Sequence, residues 1–264
     1  MQEIDWRYTP CPEEKRVAEL VFSFVIGWSA GLLLPRLARR LLEKGSGDAD
    51  YRCAACRRAA DDARAEVLFD PGTHRTPLCR SCGRPLFPPA GWAPWLTGGG
   101  FAAAQTVWGG TGELWVAWVL VGILVLVTWT DFWAMTIPDA VTVPGMVFFF
   151  LVRLVVREDP FFFHLLGFFV SFLLSYFLAR LTGGLGGGDV KLLAMSGLAL
   201  GWTNGLLAFA LAVASGGFHG LYLLAKGGRG RDPFPFGPHL AAGIFVAHGW
   251  GEGIIDWYGS FFPR

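Results

Sequence analysis

The sequence predicts an all-α, polytopic membrane protein with about seven or eight transmembrane helices. Three observations support this fold class. Charged residues make up only 16% of the 264 residues, whereas soluble domains average about 25%. The mean hydropathy is +0.44, and apolar runs close to the length that crosses a bilayer recur along the chain. The 23 Phe and 12 Trp suit a surface in contact with lipid and its interfaces.

The apolar runs predict the helices in order, since a spanning helix needs about 20 mostly apolar residues. Residues 1–16 contain four acidic residues rather than a basic head, so the first run is expected to remain as an anchor. The run at 87–110 is ambiguous because it is rich in Pro and Gly. The runs cover 17–34, 87–110, 114–130, 141–156, 161–179, 192–202, 206–225 and 236–250.

Basic residues predict the orientation of these helices in the membrane. The Arg-rich segment 36–84 is expected in the cytoplasm by the positive-inside rule, and so is the loop that contains Lys226. Counting crossings backwards places 180–191 and 131–139 on the same cytoplasmic side. This count requires 87–110 to cross the membrane, and it leaves Arg153 and Arg157 outside, against the rule.

Two carboxylates at the ends of apolar runs are the candidate catalytic residues. Asp131 follows the run at 114–130, and Asp189 precedes the run at 192–202. Ionisable groups at membrane depth are costly, which favours a functional role over simple helix capping. Two neighbouring carboxylates share one proton, so one can activate water while the other polarises a peptide carbonyl. Asp139, directly after Pro138, better fits a capping role at the start of a helix.

The residues around Asp189 predict how a substrate reaches it. Gly186 and Gly188 belong to a glycine run that allows the backbone to bend and a substrate strand to approach. Lys191 is expected either to favour an ionised carboxylate or to extend its ammonium to the interface. No Gly-Lys-Ser/Thr follows the glycines, which argues against a phosphate-binding loop.

Four cysteines form two CxxC pairs in the Arg-rich segment, and their spacing predicts a structural zinc site. Two such pairs can present four thiolates to one tetrahedral ion. A disulfide is disfavoured because the segment is expected in the cytoplasm. His74 and Cys11 are interpreted as bystanders, and the histidines in or near the apolar helices as packed or interfacial residues. The predicted zinc ligands are Cys53, Cys56, Cys79 and Cys82.

Several motifs together resemble the type IV prepilin peptidases, a group of GxGD intramembrane aspartyl peptidases. The resemblance covers nearly the whole chain, including the paired CxxC segment. Its motifs here are Asp131 with Ile137-Pro138-Asp139, the run Gly186-Gly187-Gly188-Asp189-Val190-Lys191-Leu192, Pro235-Phe236-Gly237-Pro238, and the first-helix remnants Ile26-Gly27 and Arg36-Leu37.

The resemblance implies a function, a substrate and a location. Asp131 and Asp189 would be the catalytic pair, with Gly186, Gly188, Lys191, Ile137, Pro138 and Asp139 supporting the substrate or the loops. The substrate would be a prepilin or pseudopilin, cut after a Gly between its basic leader and its apolar helix. The enzyme would be a multi-pass protein of the bacterial inner membrane with its active site on the cytoplasmic side. No nucleic-acid partner is indicated, and no oligomeric state.

Many relatives also methylate the new amino terminus with S-adenosylmethionine, and the sequence leaves that activity open. Gly31 occupies a position where the first-helix motif usually has Asn. No acidic residue follows Cys82 closely. The resemblance divides the chain into residues 1–35 with the first helix, a cytoplasmic zinc-binding segment with four cysteines at 36–86, and a transmembrane peptidase domain at 87–264.

Two rival functions are compatible with parts of this pattern. An ion-coupled transporter would also contain broken helices and intramembrane carboxylates, but it would not explain the cysteine pairs. An inactive relative could assist assembly of a pilus or secretion system, although both aspartates are present. Cleavage of a leader peptide would separate these alternatives.

Overall fold

The computed structural model describes residues 12–45, 91–156, 159–227 and 234–261. Within these ranges all regular secondary structure is α-helical, which confirms the all-α part of the predicted fold class. The eight helices are α1 Pro12–Gly45, α2 Ala93–Trp108, α3 Glu113–Ala134, α4 Asp139–Val155, α5 Phe161–Thr182, α6 Gly187–Leu200, α7 Trp202–Ala225 and α8 Gly237–Gly259.

Four helices of the described ranges are long and apolar enough to cross a membrane. These spans are Lys15–Ala38 within α1, together with α3, α5 and α7. The chain is therefore an integral membrane protein. Helices α2, α4 and α6 contain 16, 17 and 14 residues, fewer than the roughly 20 of a full crossing. The predicted total of seven or eight crossings, including the one at 87–110, remains a prediction.

Two helix boundaries differ from the sequence prediction in an informative way. Helix α1 continues past Leu34 to Gly45, with Pro35 inside it, so the first part of the Arg-rich segment is helical. Helix α6 begins at Gly187, five residues before the predicted apolar run. The first turn of α6 is therefore made of the glycine and aspartate motif rather than of apolar residues.

Helix α6 is the central helix of the bundle. Every residue from Leu192 to Leu200 is buried, and a helix that is apolar all round is typical of a bundle interior. It packs against α5, α4, α7 and α8, and it shares the hydrophobic core with large side chains of the surrounding helices, among them Trp129, Phe149 and Leu240. Because α6 is held on all sides, the position of its first turn, and therefore of Asp189, is defined by the core.

Helices α1 and α2 approach closely through glycines. A Cβ added at Gly27 would lie 2.6 Å from the Thr97 carbonyl oxygen, and one at Gly31 would lie 2.5 Å from Pro94 Cα. Gly27 and Gly31 are four residues apart, the spacing of small residues at membrane helix interfaces. The structure thus gives a packing reason for Gly31: a larger side chain there would push α2 away from α1.

A buried ion pair joins α3 and α4 at the end of the bundle away from Asp131. Glu113 and Arg153 are 4% and 3% exposed, and the Glu113 carboxylate accepts hydrogen bonds from both terminal nitrogens of the guanidinium. Arg153 Nε also donates to the Ala199 carbonyl at 3.0 Å. Arg153 is therefore a neutralised residue inside the bundle, which removes its conflict with the positive-inside rule.

The predicted zinc ligands Cys53, Cys56, Cys79 and Cys82, together with Cys11, His74 and Arg157, lie outside the described residues. In the described ranges, three or more His, Cys, Asp or Glu residues do not come together as a metal-binding group. The zinc site and the domain boundary at residue 86 remain predictions.

Candidate active site

Asp131 is located in the last turn of α3, where the helix leaves the core. Its side chain is buried, with 6% of its surface exposed. Helix α3 ends three residues later, and Met135 follows in the left-handed conformation, with its N–H donating to the Asp131 carbonyl at 2.9 Å. This local geometry turns the chain toward Ile137 and α4 while the Asp131 carboxylate stays inside the bundle.

The Asp131 carboxylate is bound by the amino-terminal end of α8. The backbone N–H of Gly237 donates to Asp131 Oδ2 at 2.6 Å. A Cβ added at Gly237 would lie 2.7 Å from the same oxygen and 2.8 Å from Asp131 Cβ, so only glycine permits this approach. Free N–H groups at a helix start favour a negative charge, and Pro238 supplies none of them because its nitrogen carries no hydrogen.

Asp189 is the third residue of α6, at the same end of the bundle. Its Oδ2 accepts a hydrogen bond from the Gly186 N–H at 3.1 Å. This is the return half of a capping box, in which an acidic residue at the third helical position binds the N–H of the cap. The contact orients the Asp189 carboxylate toward the loop before α6.

The glycines around Asp189 have different surroundings. A Cβ added at Gly188 would lie 2.9 Å from Ile137 Cβ, whereas one at Gly187 would have no atom within 4 Å. Gly188 therefore lets the first turn of α6 pack on Ile137, which is 7% exposed. This contact links the segment after Asp131 to the turn that holds Asp189.

Asp139 and Lys191 form an ion pair between the first turns of α4 and α6. The Lys191 ammonium lies 2.7 Å from Asp139 Oδ1 and 2.6 Å from Oδ2, and both side chains are largely exposed. Asp139 was expected to cap α4; it does begin the helix after Pro138, but no side-chain hydrogen bond caps α4. Lys191 was expected to act on Asp189 or to extend to the interface, and its ion-pair partner is instead Asp139.

Electrostatics connect the two candidate catalytic residues. Burial, and secondly the negative charge of Asp131, raise the pKa of Asp189 to about 6, although the Gly186 hydrogen bond acts in the opposite direction. The ordinary value is 3.8. Asp131 and Asp189 therefore lie at one end of the bundle, close enough for the charge of one to act on the pKa of the other, and carboxylates coupled in this way titrate as a pair.

Two features of this end were not assigned as site residues from the sequence. The Gly237 N–H is one, although the motif Pro235-Phe236-Gly237-Pro238 was a usable signal for it. The other is a histidine pair in which His219 Nδ1 lies 2.9 Å from His239 Nε2. The pairing joins α7 to α8, so no local sequence pattern indicates it.

Comparison with known proteins identifies the family. The type IV leader peptidase family matches residues 118–221, a range that includes Asp131 and Asp189. A prepilin leader peptidase/N-methyltransferase of Bacillus subtilis strain 168 is 32% identical over 247 residues, covering 90% of this chain and 95% of the relative. The chain belongs to the type IV leader peptidase family.

Other members of the leader peptidase family are similar over shorter parts. The protein of the same description from Aeromonas hydrophila is 35% identical over 60% of this chain and 56% of its own length. The one from Myxococcus xanthus strain DK1622 is 31% identical over 79% and 64%. No solved structure matches the chain. Membership in the leader peptidase family confirms the resemblance predicted from the motifs.

Proposed function

We propose that this leader peptidase hydrolyses the leader of prepilin-like proteins with Asp131 and Asp189 as an aspartyl dyad. The observation that carries the proposal is that the last turn of α3 and the first turn of α6 bring both carboxylates to one end of the bundle, near enough for Asp131 to raise the pKa of Asp189. Their residue types and positions also match the two motifs of the GxGD peptidases. A peptidase accounts for this arrangement, for the cysteine pairs and for the family.

The two carboxylates would divide the chemistry unequally. Asp189 holds its proton to a higher pH than an ordinary aspartate, so it would donate a hydrogen bond to the scissile carbonyl. Asp131, with the Gly237 N–H on its Oδ2, would be the ionised member that takes a proton from water. The resulting hydroxide attacks the carbonyl carbon, and the proton held by Asp131 passes to the leaving amine as the C–N bond breaks. This cycle returns the pair to one shared proton.

The substrate would approach from the cytoplasmic side of the bacterial inner membrane. The proposed substrate is a prepilin or pseudopilin with a short basic leader, cut after a Gly at the start of its apolar helix. Gly187, where an added side chain would meet no neighbour, leaves open space beside Asp189 for such a strand. Pilus or secretion systems are the proposed setting.

Zinc and S-adenosylmethionine are proposed only for the amino-terminal region. Four cysteine thiolates in two CxxC pairs form a donor set suited to structural zinc. Relatives described as N-methyltransferases support a second, methylating activity that would use S-adenosylmethionine. Neither group is required for the hydrolytic steps assigned to Asp131 and Asp189.

The dyad is tested with Asp131→Asn and Asp189→Asn, each co-expressed with a prepilin. Each variant is expected to lower cleavage by at least about 100-fold, the usual contribution of one acid–base group, while inserting normally. Asp256→Asn is a matched control, because Asp256 is an exposed aspartate near the end of α8. Mass spectrometry of the pilin gives cleavage and methylation separately. Normal processing by either dyad variant would exclude the assignment.

A further inference from the structure

Two half-buried histidines join α7 to the first turn of α8, beside the proposed catalytic centre. His219 Nδ1 lies 2.9 Å from His239 Nε2, and the other ring nitrogen of His239, Nδ1, lies 3.3 Å from Ser215 Oγ. His239 is in the same helical turn as Gly237, whose N–H binds Asp131. The hydrolytic steps assigned to the two aspartates do not use this histidine pair.

The hydrogen bonds of the histidine pair run in one direction and end on the backbone of α7. Ser215 Oγ donates to the Ala212 carbonyl at 3.2 Å, so its lone pairs can accept from His239 Nδ1–H. A neutral His239 ring with its proton on Nδ1 presents Nε2 as an acceptor, and His219 Nδ1–H then donates to it. The His239 ring is thus held at both of its nitrogens by residues of α7.

The α7 residues of this contact share one face of the helix. Ser215 and His219 are four residues apart, the spacing of neighbours on one side of an α-helix. Gly216 lies beside them, and a Cβ added there would lie 2.7 Å from Phe236 Cε2 and 3.7 Å from His239 Cγ. This face of α7 therefore receives the start of α8 through close packing as well as through hydrogen bonds.

The segment that leads into α8 also contacts both imidazoles. The Phe234 ring meets His219 and His239 in T-shaped arrangements, with centroid distances of 5.7 and 6.2 Å. Contacts with α7 therefore involve Phe234 and Phe236 before Gly237, and His239 after it. Because they lie on both sides of Gly237, they determine where its N–H points.

We propose that His239 is a positioning residue of this leader peptidase, held by His219 and Ser215 so that the Gly237 N–H stays on the Asp131 carboxylate. The inference rests on the proposed function, since it matters for catalysis only if Asp131 takes a proton from water. Displacement of a reacting group by about 1 Å can cost about 100-fold in rate. Loss of one hydrogen bond that restrains α8 is expected to cost less, about 10-fold.

Paired variants test the hydrogen bond itself. His239→Phe keeps a ring and removes the acceptor, and His219→Leu removes the donor. In full-length protein purified in detergent, each should lower kcat for prepilin cleavage about 10-fold per folded molecule, with KM within about twofold. His239→Gln supplies an amide oxygen in place of Nε2, and His219→Asn an amide nitrogen in place of Nδ1. Both should recover most of the lost kcat.

Phe218→Leu is the matched control for His219→Leu. Phe218 is the neighbouring α7 residue and is 74% exposed, so its replacement should leave kcat within about twofold, as for a surface substitution. A purely structural role of the histidines would lower Tm and leave kcat per folded molecule unchanged, which would overturn the proposal. Equal losses of kcat in His239→Phe and His239→Gln would overturn it as well.

A double variant shows whether His239 acts through Gly237. A Cβ at Gly237 would lie 2.7 Å from Asp131 Oδ2, so Gly237→Ala disturbs the same contact. Adding His239→Phe to Gly237→Ala should then lower kcat little further, whereas losses that multiply would show independent effects and refute the proposal. Normal cleavage by Asp131→Asn would refute the proposed dyad. An inactive Asp131→Asn together with wild-type kcat in His239→Phe would refute the positioning role alone.

Discussion

The backbone N–H of Gly237 donates a hydrogen bond to the carboxylate of Asp131, although the two residues are 106 positions apart. The contact joins the start of α8 to the end of α3 at the proposed catalytic centre. It gives the Pro235-Phe236-Gly237-Pro238 motif a physical role, since its glycine holds the Asp131 carboxylate in place. The peptidase site thus depends on three elements: the end of α3, the start of α6 and the start of α8.

Gly237→Ala should therefore impair cleavage without removing any catalytic group. The new Cβ would lie 2.7 Å from Asp131 Oδ2, so either the carboxylate or α8 must move. Displacement of a reacting group by about 1 Å can cost about 100-fold in rate, and a loss of that order is expected in kcat. The measurement is cleavage of a prepilin by the purified variant in detergent.

Gly217→Ala is the matched control for this change. Gly217 lies in α7, and an added Cβ there would have no atom within 4 Å, so activity should stay within about twofold, as for a surface substitution. Full activity of Gly237→Ala would show that the Asp131 position is not held by this contact.

The pH dependence of cleavage should report the proton shared by the two aspartates. Because the pKa of Asp189 is raised to about 6, the singly protonated pair is lost as pH rises above that value. On the alkaline side, kcat/KM should then fall about tenfold per pH unit. At low pH, kcat/KM should also fall as the second carboxylate of the pair becomes protonated. The two apparent pKa values then describe the pair as a whole and not either residue alone. A rate that stays constant from pH 5 to pH 9 would contradict proton sharing.

Asp189→Asn should stabilise the folded protein in a pH-dependent way. The folded-state pKa of about 6 exceeds the ordinary 3.8, so the ionised carboxylate is disfavoured by folding, and the cost appears as pH rises from about 4 to 6. The amide removes the charge while its oxygen can still accept from Gly186. Its Tm should exceed that of the wild type at pH 7.5, and the difference should shrink at pH 4. A constant difference at both pH values would contradict the raised pKa.

Gly188→Ala and Gly187→Ala should show which glycine before Asp189 is required by close packing and which one borders open space. The first change places a Cβ 2.9 Å from Ile137 Cβ, and the second meets no neighbour within 4 Å. Overpacking typically costs about 1–3 kcal/mol, so Gly188→Ala should lower both Tm and cleavage. Gly187→Ala should keep its Tm, and any loss of cleavage should appear in KM because the methyl group occupies the proposed substrate space. Equal Tm losses would show that the contact with Ile137 is not what requires glycine.

Sequence alone predicted the helices and the candidate dyad because both depend on local signals. Apolar runs of spanning length identify membrane helices, and a carboxylate at the end of such a run is conspicuous by its cost. The long-range partners could not be predicted in the same way. The Gly237 contact with Asp131 depends on how α3 and α8 pack. Arg153 was predicted to lie outside because its partner Glu113, 40 residues away, is not apparent from the local sequence. The start of α6 was missed because glycines lower helix propensity, whereas close packing on Ile137 requires a glycine at position 188.

The buried pair of Glu113 and Arg153 should be needed for stability at the end away from the dyad. Glu113→Gln leaves the Arg153 charge buried with only carbonyl and amide partners, and removing one member of such a pair typically costs about 3–5 kcal/mol. A substantial fall in Tm is therefore expected, with kcat of the remaining folded protein nearly unchanged. Glu252→Gln, an exposed change at the same end, should leave Tm nearly unchanged.

The double variant Glu113→Leu with Arg153→Met distinguishes a paired charge from simple packing. Replacing both members by apolar side chains of similar volume is often neutral, so Tm should recover most of the loss seen in Glu113→Gln. The Ala199 carbonyl, which accepts from Arg153 Nε at 3.0 Å, would lose that partner, so recovery should be incomplete. If the double variant were less stable than Glu113→Gln, the guanidinium contact with the end of α6, rather than the ion pair, would be the stabilising interaction.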